Sequence, residues 1–112
     1  MAFTNGKLAP VTVVASGATG TIVTVASSKK VYIRSIMLFS PSGSTATAEV
    51  FVVPSGGSAA TANKMFKIAL TADETVLLEP VYPIVLDTTG DTLQVTATSQ
   101  DVNVLITGDK EA

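Results

Sequence analysis

The side chains able to do acid–base, nucleophilic or metal chemistry are few in this chain, and their types exclude most enzyme classes. There is no His and no Cys, so no Ser-His-Asp or Cys-His constellation, imidazole base or thiolate metal site can be built. A His-ligated metal centre inside a β-barrel is excluded for the same reason. Carboxylates come close together twice in sequence, at Asp73-Glu74 and at Asp87 and Asp91. A glycosidase needs two carboxyl groups facing each other across a sugar; adjacent positions among turn-forming residues do not provide that, and turn formation is the simpler role. The run from Asp87 to Asp91, DTTGD, gathers oxygen donors around a glycine and could hold Ca²⁺. It lacks the alternating acids of an EF-hand loop, and no metal or other cofactor is expected. The SGATG and SGG runs are followed neither by Lys-Ser/Thr nor by the start of a helix, so they do not cradle phosphate.

Two further residue types bear on binding. Arg34 lies in a largely apolar strand, where it either lays its stem along the sheet to reach water or pairs with a late-chain acid of another subunit. Tyr32 and Tyr82 are the only tyrosines and Trp is absent, which is thin material for the aromatic platform of a sugar-binding module. The remaining chemistry is that of surfaces.

Composition points the same way. With 112 residues the chain makes one domain, large enough for a two-layer core and too small for a core plus a deep catalytic cleft. Val and Thr are its commonest residues, and only 14% are charged, against a typical ~25%. So apolar a composition favours burial against another subunit or partner. The net charge of -2 provides no basic footprint for nucleic acid. Charge is nonetheless uneven. Lys7, Lys29, Lys30, Arg34, Lys64 and Lys67 precede Thr71 with one acid, Glu49. Asp73, Glu74, Glu79, Asp87, Asp91, Asp101, Asp109 and Glu111 follow it with one base, Lys110. The halves either neutralise one another within an interleaved domain or form opposite-signed faces that meet head to tail around a ring. MAFTNGKLAP has neither the charged nor the apolar region of a signal peptide, and no apolar run approaches ~18 residues, so neither secretion nor a transmembrane helix is expected.

These surfaces have to be positioned by strands. Short runs rich in β-branched residues, separated by Gly, Pro, Asp and Ser clusters, recur along the chain. They are Pro10–Ala15, Thr21–Ala26, a central pair within Lys29–Pro54, Lys64–Leu70, Thr75–Glu79, Val81–Leu86, Thr92–Thr98 and Val102–Thr107. In the central stretch, strict alternation puts Val31, Ile33, Met37 and Phe39 on one face and Tyr32, Arg34, Ile36 and Leu38 on the other, with SPSGSTAT as the connecting loop. Leu93, Val95 and Ala97, then Val102, Val104 and Ile106, read as inward. Pro83 confines its strand to an edge or a bulge. The expected fold is all-β, an antiparallel β-sandwich of jelly-roll type with about eight strands. Residues 1–9 read as an N-terminal arm, 10–108 as the sandwich domain and 109–112 as a polar tail.

The stretches KKVYIRSIMLFSPSGSTATAEVFVVPSGGSA and ETVLLEPVYPIVLDTTGDTLQVTATSQDVNVLITG resemble the small β-sandwich structural proteins of tailed bacteriophage virions. The resemblance spans Lys29 to Gly108 and consists of turn-and-strand patterns. It implies a jelly-roll unit, usually trimeric, made in the host cytoplasm. Such a unit attaches to the virion as a capsid cement or decoration protein, with itself and the major capsid protein as partners. A head-tail, tail or fibre component, or a carbohydrate-binding module of a receptor-binding apparatus, is the alternative. The resemblance assigns no functional residue. Contact candidates come from the residues themselves: Phe3 and Leu8 in the arm, Arg34, Pro41 in the central loop, and Ser55, Gly56 and Gly57 in the loop after Pro54.

Overall fold

The structure, a computed structural model, describes residues 3–111. Nine strands succeed one another: β1 Phe3–Val14, β2 Thr19–Thr24, β3 Val31–Phe39, β4 Ala46–Val53, β5 Lys64–Leu70, β6 Thr75–Leu78, β7 Ile84–Leu86, β8 Thr92–Thr98 and β9 Val102–Glu111. A 3-10 turn at Thr61–Asn63 precedes β5. The strands form two antiparallel sheets. Sheet A has the order β1-β9-β3, with β6 and β7 both on the free edge of β3; sheet B has the order β2-β8-β4-β5.

β6 pairs with the Ile36–Phe39 half of β3 and β7 with the Val31–Ile33 half. They are two parts of one edge strand, interrupted at residues 79–83, where Pro80 and Pro83 cannot donate to a ladder. Counted so, the sandwich has two four-stranded sheets. Apart from the β4–β5 hairpin within sheet B, the chain alternates between them, and its last strand returns between the first and third. This is the jelly-roll arrangement.

The inner faces share one core. Sheet A contributes Ile33, Ile36, Leu38 and Ile106, and sheet B contributes Leu93 and Val95 along with the small Ala46, Ala48 and Ala97. Mixing large and small residues lets two sheets about 10 Å apart interdigitate without voids. The inward residues of β8 and β9 are those that alternation identifies, all fully buried.

Two features differ from the sequence reading of the central stretch. First, β3 and β4 do not pair with each other: β3 lies between β9 and the β6/β7 edge, and β4 lies between β8 and β5. The loop between them crosses from one sheet to the other. There the buried Ser40 donates its N–H to the Glu74 carbonyl (3.0 Å), and Ser42 Oγ donates to Gln100 Oε1 (2.9 Å).

Second, β3 does not keep strict alternation. Its register on β9 steps from Ile33 opposite Gly108 to Ser35 opposite Thr107, which leaves Arg34 as the extra residue of a β-bulge. Beyond the bulge the faces exchange. Ile36 and Leu38 point into the core and are fully buried, while Met37 turns outward.

The described parts of the stretches read as arm and tail also differ from that reading; residues 1, 2 and 112 lie outside the described residues. Phe3 to Lys7 pair with Glu111 to Thr107, so the start of β1 and the end of β9 belong to one ladder. Their partners lie about a hundred residues apart in sequence, which is why no local pattern announces the pairing.

Candidate interaction surface

The outer face of sheet A is built from the outward residues of β1, β9, β3 and the β6/β7 edge. Near the chain termini, Phe3 packs edge-on against Tyr32, with ring centroids 5.5 Å apart. Beside them Arg34 Nε donates to Asp109 Oδ2 at 2.6 Å, and Asn5 Nδ2 donates to Asp109 Oδ1 at 2.8 Å. The late acid that Arg34 meets is therefore one of its own chain. Next comes a polar belt, in which Lys7 pairs with Thr107 and Thr107 with Ser35; the Ser35 and Thr107 hydroxyls hydrogen-bond across the bulge.

Beyond the belt the face is mostly apolar, with Asn103 and Thr75 the polar residues among it. Leu105 lies opposite Met37 and Met37 opposite Leu77. Val11 joins Leu105, Met37 and Phe39 in lining a shallow apolar depression. Val11, Val13 and Leu77 stand about half exposed or more.

The outer face of sheet B is different. The corresponding row across it is Thr19–Thr96–Glu49–Lys67, every member polar. Of its large apolar residues Phe51 and Val53 are covered, and Met65 on the edge strand β5 stands exposed by itself. The Lys64 ammonium sits 5.9 Å from the Phe51 ring centroid and pairs with Glu49, and Gly57 lies over Val53. One outer face of the sandwich is wet and the other presents hydrocarbon to water. This contrast is the main functional observation on the molecule.

Asp109 titrates below its ordinary value of 3.8, first because Asn5 and then because Arg34 donates to its ionised form. A depressed folded-state pKa adds stability above the unfolded value, and that stability is lost as pH falls through the folded one. The melting-temperature gap between the wild type and Asp109→Asn is therefore expected to be constant near neutrality and to close below about pH 4. A gap that instead widens in acid would contradict this role.

The other sequence candidates are dispersed. Leu8 packs against the core rather than facing outward. Pro41 precedes β4 whereas Ser55, Gly56 and Gly57 follow it, so they lie at opposite ends of the sandwich. Phe3 and Arg34 come together around Tyr32 and Asp109. Val11, Met37, Leu77 and Leu105 were not candidates from sequence. Only the bulge, which turns Met37 outward, and the non-local pairing bring them into one row.

The paired carboxylates have local structural work. Glu74 Oε1 accepts from the Thr71 N–H (2.9 Å), and Asp73 sits in the turn with φ 58°. Asp91 accepts from the N–H of Ser55 (3.1 Å) through Oδ1 and from that of Thr88 (3.2 Å) through Oδ2. Among the described residues no three acids gather as a metal site. Asp91→Ala is expected to cost about 1 kcal/mol in urea unfolding, by removing two hydrogen bonds that a charged acceptor makes to loop N–H groups. Adding Ca²⁺ should leave the melting temperature of the wild type unchanged.

No family model and no curated protein matches the chain. Among solved structures it is similar to the T13 viral particle of infectious bursal disease virus (10% identity, TM-score 0.49). It is also similar to structures of the Gt strain (11%, 0.43) and the Gx strain (15%, 0.42) of that virus. The alignments cover 97% of this chain and 30–31% of those chains, so it spans under a third of their length.

Proposed function

We propose that this is a non-enzymatic virion structural protein, a homotrimeric capsid cement or decoration protein that binds major capsid subunits on the assembled shell. The observation that carries the reading is the contrast between the two outer faces. The domain leaves hydrocarbon from four strands exposed on sheet A while keeping sheet B wet. A small monomer gains nothing from that arrangement; a subunit that works by burial needs it. The absence of His and Cys and the turn-forming roles of the carboxylates agree with a protein whose work is contact. Binding the assembled shell and not its dissociated subunits stabilises the shell by mass action.

The test is to heat particles assembled with and without the protein and follow genome release. Particles lacking it are expected to open at a lower temperature, with the loss restored by adding purified protein. Identical opening temperatures would remove the cement reading.

A further inference from the structure

The segment that interrupts the outer edge strand of sheet A, Glu79-Pro80-Val81-Tyr82-Pro83, carries the most exposed large apolar residues described. Val81 is 94% and Tyr82 83% exposed. Two prolines bracket them and fix φ on either side, so the projection loses little freedom when it is covered. The interruption also removes ladder donors from this edge, so a neighbour must meet it through side chains and not by strand pairing.

The height of the projection on the sheet is informative. β6 ends at Leu78 opposite Ile36, and β7 begins at Ile84 opposite Ile33. The projection therefore leaves the sheet level with Arg34 and Ser35. On the far side of the same sheet that level is occupied by Thr107 and then Lys7, with Val11 just beyond. A head-to-tail ring whose axis runs along the strands closes only if the two contacting patches lie at the same height, and these two do. Their chemistry matches as well. The projection presents exposed Glu79 beside its apolar tip, and the far side presents exposed Lys7 beside Val11. Neither charge has an ion-pair partner among the described residues.

We propose that Val81 and Tyr82 of one subunit seat on the Lys7–Val11 side of sheet A of a second copy, with Glu79 facing Lys7, so that like contacts repeat around a closed trimer. The proposal rests on the trimeric reading above and names the contact that would close it. An aromatic side chain brings roughly 150–250 Å² to an interface, and a stable one buries about 800 Å² per partner. The projection is thus the anchor, and the exposed row of Val11, Leu105 and Met37 provides the remaining area.

The experiment is sedimentation velocity and native mass spectrometry on the purified full chain. Three samples are compared: wild type, Val81→Ser/Tyr82→Ser, and Val11→Asp, with circular dichroism as a check on folding. Each variant alone is expected to raise the concentration at which the trimer dissociates by at least about 30-fold. An equimolar mixture of the two should form a heterodimer, because one intact projection meets one intact receiving face and the ring cannot close. Should Val11→Asp misfold, the loop variant gives the decisive reading alone. A wild-type trimer that persists in Val81→Ser/Tyr82→Ser overturns this contact and leaves the trimeric reading standing. A wild type that is monomeric at every concentration overturns both.

Discussion

Gly108→Ala is expected to lower the melting temperature by on the order of 12 °C or more, or to prevent folding outright. Gly108 is buried on β9 opposite Ile33, where β3 bulges. A Cβ built there overlaps the carbonyl oxygen of Tyr32 and lies 3.0 Å from the Arg34 nitrogen. Both are backbone atoms of the bulge itself, so no rotamer change relieves the overlap, and the two strands must separate. Overpacking typically costs 1–3 kcal/mol, and backbone overlap puts this substitution at about 3 kcal/mol or more. In a domain of this size each kcal/mol moves the midpoint by about 4 °C. The need for glycine here arises from close approach and not from an unusual φ. A thermal unfolding curve within 2–3 °C of the wild type would show that β9 and β3 do not approach as described.

The second large effect separates two neighbouring residues. Ile36→Ala is expected to cost about 2–5 kcal/mol in urea unfolding, since Ile36 is fully buried in the core. Met37→Ala, measured at concentrations low enough to keep the chain monomeric, should change stability by no more than about 0.5 kcal/mol. Both are apolar residues in the middle of one strand, so hydrophobicity alone does not rank them. The bulge at Arg34 does, by sending Ile36 inward and Met37 outward. If β3 kept the strict alternation that its sequence suggests, the order would reverse, with Met37→Ala the costly change. The pair of unfolding curves therefore reads out the bulge directly.

This bulge also marks where the sequence stops being informative. In β8 and β9 the inward residues, Leu93, Val95 and Ala97 and then Val102, Val104 and Ile106, follow a period of two and are buried as the pattern implies. In β3 the same pattern fails after Ile33. One inserted residue exchanges the faces, and nothing in VYIRSIMLF signals the insertion. Its cause lies on another strand, in Gly108, which lets β3 approach β9 closely at that point.

Pairing is similarly hidden. The SPSGSTAT segment has the composition of a hairpin turn, yet it carries the chain from sheet A to sheet B. Turn residues permit a reversal without saying whether the next strand returns beside the first. At the amino terminus, Asn5-Gly6 looks like a turn. Gly6 instead takes φ 143° within β1, a conformation that suits glycine on an edge strand held by β9.

The outward residues of sheet A were hidden for both reasons together. Val11, Leu105, Met37 and Leu77 come from four strands spread along the chain. Each is unremarkable as a single apolar residue in a β-rich sequence. They become a surface only when the jelly-roll order brings β1, β9, β3 and β6 side by side and the bulge turns Met37 out. The charge asymmetry was more legible. Arg34 and Asp109 join the early basic and late acidic halves within one subunit, which is the neutralising outcome. Lys7 and Glu79, at opposite sides of sheet A, have no ion-pair partner among the described residues.

If the protein works by burial, the outer face of sheet A is covered in its working form while sheet B stays wet. Two methionines test it side by side. Met37 lies on the outer face of sheet A and is 38% exposed in the single chain; Met65 lies on the edge strand of sheet B and is 59% exposed. Brief peroxide oxidation converts accessible methionine to its sulfoxide, which peptide mass spectrometry reads residue by residue. In the assembled protein Met37 is expected to be protected while Met65 reacts, and dilution to the monomer should make Met37 reactive too. Met37 and Met65 oxidising at similar rates at every concentration would contradict the account.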